Sequence, residues 1–206
     1  HYNNGDEIQY VQSESSEPDV WANLPYTHSA YGYYNDDLSL QETYGNLYNW
    51  YVVEDDRGVC PEGWHIPSND EYTVLTDYLG ETSVADGKMK ETGLEHWDSP
   101  NTGATNESGF TGLPAGSRAS NSGNYFWMGK KTFFWSTSSY GSGAMWALSL
   151  EHDNSEASRT GRPQEYGLSV RCIADEILTY GGQNTTGNVE YGCPDNYVDD
   201  DTDSDD

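Results

Sequence analysis

Five histidines, three cysteines and 35 Asp and Glu residues are the side chains from which chemistry could be built in this chain of 206 residues. Cys60 and His65 stand in C-P-E-G-W-H, where two metal ligands could be read. Structural zinc needs four ligands and no second pair exists, so a packed imidazole and a disulfide sulfur fit the string better. Asn101, Asn106 and Glu107 gather oxygens on a turn-rich loop, the donor type a calcium ion takes, against the plainer reading that they cap turns of their own backbone. The run Asp199 to Asp206 is either a solvated acidic tail or a ligand set for a hard cation. Tyr125, Trp127 and Tyr140 lie among Gly, Asn and Ser, where rings could stack on sugar faces or make protein contacts. The histidines His1, His28, His65, His96 and His152 form no H-E-x-x-H, no Ser sits in a G-x-S-x-G elbow, and no P-loop or dinucleotide fingerprint occurs. A non-enzymatic protein is expected.

The elements that must position these groups follow from composition and spacing. The formal charge of −26 repels phosphate backbones and anionic lipid, which excludes nucleic acid as a natural partner. No long apolar run suggests membrane insertion, and His1-Tyr2-Asn3-Asn4-Gly5 has neither the basic patch nor the apolar stretch of a signal peptide, as a processed or fragmentary secreted chain would also show. Only 34% of residues are hydrophobic, but 17 Tyr and 7 Trp can still build a core. Cys60, Cys172 and Cys193 allow one long-range disulfide with an odd thiol left over.

Residues 1 to 38 read as short extended pieces and turns. The spacing then predicts a helix from a Ser39-x-x-Glu42 capping box, with Tyr44, Leu47, Tyr48 and Tyr51 on one face. A second helix is predicted from Ser68-Asn69-Asp70-Glu71 through Tyr72, Leu75 and Leu79 to a stop at Gly80. From Gly87 the chain reads as a long ordered loop, followed by strands over 133–138, 144–151 and 167–174. Trp146 is expected to be buried beside Leu148 and Leu150, while Trp50, Trp64, Trp97 and Trp135 look structural. Residues 176–206 form an acidic Gly/Asn/Asp-rich extension after a domain at 1–175.

The strings YGNLYNWY (44–51), GVCPEGWHIPS (58–68), KMKETGLEHW (88–97), SPNTGATNESGFTGLPAGSR (99–118), FFWSTSS (133–139) and GLSVRCIAD (167–175) resemble, in order, the Fibrobacter succinogenes major paralogous (FISUMP) domain. The resemblance implies a bacterial extracellular or cell-surface protein with an α+β fold of the C-type-lectin and formylglycine-generating-enzyme kind: two short helices, small antiparallel sheets and long ordered loops. That fold would bring Cys60 beside Cys172, and a disulfide between them is expected on that ground. The lectin sugar signatures E-P-N or Q-P-D with W-N-D are missing, and Glu17-Pro18-Asp19 matches only superficially. A cysteine pair common in relatives around GYYNDD is absent, as is the strand that usually precedes the segment matched by His1.

The expected function is adhesion or recognition of a glycan or protein through loops of the domain, with Tyr125, Trp127 and Tyr140 as ligand contacts and calcium at Asn101, Asn106 and Glu107 as the one candidate cofactor. The alternative is a structural subunit of an extracellular filament, self-associating by exchange of terminal strands.

Overall fold

Short extended pieces open the computed structural model, which describes residues 1–13, 20–25 and 27–175. Strand β1 (Gln9–Tyr10) pairs parallel with β2 (Ala30–Gly32), and single 3-10 turns stand at Trp21–Asn23 and Tyr34–Asp36. The predicted first helix forms but stops early. Helix α1 (Leu38–Tyr44) is capped by Asp37, whose carboxylate accepts from Ser39 N–H, and Gly45 at φ 77° ends it. Leu47 and Tyr48 therefore leave the helix and form β3 (Leu47–Tyr48), antiparallel to β2, while α2 (Trp50–Val53) is a separate turn. The spacing of Tyr44, Leu47, Tyr48 and Tyr51 misled because a two-residue strand between two short helices can mimic it.

After β4 (Trp64–His65) comes the helix whose ends were legible. In α3 (Asn69–Tyr78), Ser68 Oγ accepts from Glu71 N–H and the Glu71 carboxylate accepts from Ser68 N–H, the full capping box. A further helix, α4 (Thr82–Met89), occupies what was read partly as loop. Its Gly87 is required: a Cβ there would stand 2.3 Å from the Gly103 carbonyl oxygen.

The hairpin β5 (Ser117–Arg118) and β6 (Tyr125–Phe126) leads into the central sheet, β7 (Lys131–Gly141), β8 (Ala144–Glu151) and β9 (Ser158–Pro163), antiparallel in that order. Both its faces are covered. Phe134, Leu148 and Leu150 meet Tyr72 and Leu79 of α3, Ala85 and Met89 of α4, and Trp97; Phe133, Trp135, Met145 and Ala147 meet Trp50 and Leu168 on the other side. Burial on two faces explains why residues 133–135 of β7 and 144–148 of β8 read as continuous apolar runs. The predicted strand at 167–174 is not continuous: Leu168 bridges Tyr48, Ser169 bridges Phe134, and only β10 (Ile173–Ala174) forms a strand, paired with β4. The fold is α+β, with four α-helices among the described residues. The extension at 176–206, with Cys193 and the acidic run, lies outside the described residues.

Cys60 and Cys172 are bonded, with Cα atoms 5.8 Å apart. Beside them His65 joins the same two segments again, its Nδ1 2.6 Å from Asp175 Oδ1 and its Nε2 2.7 Å from Glu71 Oε1. Hydrogen bonds to Glu71 and then Asp175 raise the His65 pKa above its ordinary 6.5, against a smaller opposing effect of burial. A raised folded-state pKa means that the folded chain holds this proton more tightly than the unfolded one. The resulting stability is fully present below the ordinary value and is lost as pH rises through the elevated one. Thermal melts should therefore show a stability decline from the ordinary histidine value upward that His65→Gln flattens; identical pH profiles for the two proteins would refute the assignment.

Candidate functional site

Trp127 is placed by the end of β6 and the turn that starts β7. Its carbonyl accepts from the N–H groups of both Lys130 and Lys131, each at 2.9 Å, and Gly129 N–H donates to Pro114. The hairpin passes so close to Gly116 that a Cβ there would lie 2.3 Å from the Phe126 carbonyl oxygen. Within this rigid setting Trp127 adopts φ 66°, a left-handed conformation that a bulky side chain rarely takes and that costs on the order of 1–3 kcal/mol. The strain turns its ring outward, leaving Trp127 39% and Phe126 42% exposed.

The ring does not stand alone. Its centroid lies 5.7 Å from that of Phe133, and the Arg162 guanidinium sits 4.4 Å from the Phe133 centroid, 5.7 Å from Trp127 and 5.8 Å from Tyr166. Lys131 Nζ is 5.9 Å from Trp127, although a 2.8 Å ion pair with Glu151 holds it too. Arg162 differs from Arg57, Lys88, Lys90 and Lys131: among the described residues it makes no ion pair, and its buried Nε has no hydrogen-bond partner. Burial lowers its pKa, but a guanidinium starts so high that it stays charged at neutral pH. The result is a cation held by ring faces beside an exposed indole, an arrangement able to take a ligand that offers both an apolar face and a hydrogen-bond acceptor.

The three predicted contacts do not share one surface. Tyr125 belongs to the interior frame: its ring lies 5.0 Å from the Arg118 guanidinium, and its hydroxyl donates to Asp36 at 3.3 Å. Arg118 is fully buried and donates Nε to the Gly123 carbonyl, so Tyr125 supports the hairpin that carries Trp127. Tyr140 is 56% exposed but packs on Trp146, centroids 4.5 Å apart, and its ring lies across Gly161. Gly161 and Trp146 are paired in register one step from the Arg162–Met145 pair, so Tyr140 covers the opposite face of the central sheet from Arg162 and Trp127. Trp146 is accordingly half-buried rather than buried, and Trp64 is 48% exposed rather than internal. Arg162 itself carried no sequence signal, because the two arginines of S-R-T-G-R-P read as solvated.

The three residues read for calcium make separate contacts. Asn101 is buried and turns its amide nitrogen to the carbonyls of Glu91 and Gly93; Asn106 exchanges hydrogen bonds with Thr111; Glu107 stands 3.4 Å from Lys88 Nζ. Their side chains serve different partners, and among the described residues no cluster of three or more His, Cys, Asp or Glu side chains is arranged to hold a metal. A lysine is buried against the same loop. Lys90 Nζ donates to the carbonyls of Thr102 (3.0 Å), Glu151 (2.5 Å) and Asn154 (2.7 Å) and lies 3.1 Å from Asp86 Oδ1, with both side chains fully buried. No described helix is long and apolar enough to cross a membrane.

The family model described as the Fibrobacter succinogenes major domain matches residues 1–174 of this chain. No curated protein and no solved structure matches it.

Proposed function

The chain belongs to the Fibrobacter succinogenes major domain family, and from that premise we propose that it is a non-enzymatic recognition module of lectin-like fold, displayed outside the cell, that attaches to a glycan or protein through the Trp127 surface. The observation that carries the reading is the strained, exposed indole of Trp127 beside the ring-held Arg162. Trp127 holds a positive φ while its indole, packed on Phe133, stays part-exposed, and such strain concentrates at binding sites. Extracellular display is supported by the Cys60–Cys172 disulfide, which persists in oxidising compartments.

Glycan and protein arrays probed with the purified chain test the proposal. Trp127→Ala should weaken the selected ligand by on the order of 2 kcal/mol, roughly thirtyfold, as expected of an aromatic hot spot, with little change in melting temperature. Tyr140→Ala, on the other sheet face, should bind as the parent does. An unchanged affinity in Trp127→Ala would remove this surface from the function. In favour of the second reading, a filament built by strand exchange, stands the outer edge of β1, which ends its sheet. Fibres in negative-stain micrographs would decide for it.

A further inference from the structure

A second aromatic surface lies on the small N-terminal sheet. Its inner face is made by Ala30, Gly32 and Leu47, all buried; its outer face carries Tyr10, Tyr31 and Tyr48, one from each strand and paired in register. Successive centroids are 5.5 and 5.9 Å apart, with ring planes turned by 43° and 41°, so the three rings form a twisted staircase. Two of the steps are locked. Tyr10 stacks on Tyr33 at 5.0 Å and donates its hydroxyl to Asp36 at 2.9 Å, while the Tyr48 hydroxyl accepts from Asn46 at 3.1 Å. The half-buried rings line an open groove of about 620 Å³, whose rim adds Glu7, Gln9 and Asn46.

We propose that this groove binds a neutral polysaccharide chain, independently of the Trp127 surface. Pyranose rings present C–H faces that stack on aromatic rings, and their hydroxyl edges need donors and acceptors of the kind that Gln9 and Glu7 place at the rim. Three rings in a row suit a repeating ligand better than a compact one, and rings fixed before binding leave less side-chain freedom to lose. Charge selects the class. Glu7 lines the groove and Asp36 stands behind Tyr10; His1 is the one basic residue among the described lining, no Lys or Arg joins it, and the chain carries −26 overall, so acidic glycans and nucleic acids are repelled.

Calorimetric titration with soluble β-glucan, arabinoxylan and galactomannan tests the assignment. At least one should bind, with an affinity that high salt leaves unchanged. Tyr31→Ala should weaken it by about tenfold, Tyr31→Phe should retain most of it, and Trp127→Ala should leave it intact. In the unmutated protein the same ligand should shift the ring resonances of Tyr10, Tyr31 and Tyr48, a readout that needs no folded variant. Binding by none of the three polymers, undiminished binding by a folded Tyr31→Ala, or shifts confined to Trp127 would each overturn it.

Discussion

Lys90→Met is expected to lower the free energy of unfolding by about 3–5 kcal/mol, the usual cost of removing one partner from a buried ion pair. On a chain of this size that corresponds to a fall of roughly 6–20 °C in melting temperature. The ammonium does two jobs that methionine cannot. It neutralises Asp86, whose carboxyl is pushed up to about 7 by burial even though Glu151 N–H and Lys90 both favour its charged form. It also draws together three carbonyls from separate segments, at Thr102, Glu151 and Asn154. Without it, a fully buried carboxylate and three acceptors lose their shared donor, and each such group costs about 1–3 kcal/mol when left unpaired. The double variant Lys90→Met, Asp86→Leu should recover part of the loss, because the buried carboxyl left without its partner then disappears as well. The parent protein should melt identically with and without a chelator. A chelator-sensitive melt, or a single variant as stable as the parent, would mean that something other than this lysine holds the loop.

The same lysine shows where sequence reading ends. The second Lys of K-M-K-E-T-G looks as solvated as the first, and its role depends on loop carbonyls whose positions no local pattern encodes. The Asn and Glu residues of the loop were visible as oxygen donors, but Asn101 spends its amide on Glu91 and Gly93 once the fold brings them near. By contrast, the Ser68 capping box was legible because all its partners lie within one helical turn. The extent of β8 was legible too, since its apolar run and the turn residues that flank it are local. β9 was missed because Gly161 and Pro163 read as turn formers; it lies at the edge of its sheet, where proline is tolerated, and Gly161 is needed to pass beneath the Tyr140 ring. In the candidate site, Trp127 could be picked out by its polar neighbours. Neither Arg162 nor the Tyr10–Tyr31–Tyr48 staircase could, because each is assembled from strands whose pairing the sequence does not state.

Reduction of the Cys60–Cys172 bond is expected to cost about as much as the loss of Lys90, by a different route. The bond spans 112 residues, so in the chain-entropy model it removes about 4–5 kcal/mol of freedom from the unfolded chain. Since a domain is typically stable by only about 5–15 kcal/mol, that is about a quarter of the total or more. The folded state should change little at first: β4 still pairs with β10, and His65 still bridges Glu71 and Asp175. The effect should therefore appear as a drop of roughly 8–20 °C in melting temperature on adding reductant. The urea slope should steepen as the unfolded chain expands, and the double variant Cys60→Ser, Cys172→Ser should reproduce both changes. Hydrogen exchange separates this account from a purely local one. If the bond acts through the unfolded state, protection falls together across the central sheet, β7 to β9, whose strands pair with neither β4 nor β10. If reduction frees only the backbone around Trp64 and Ile173 while the central sheet keeps its protection, the bond is a local clasp and the long-loop argument fails.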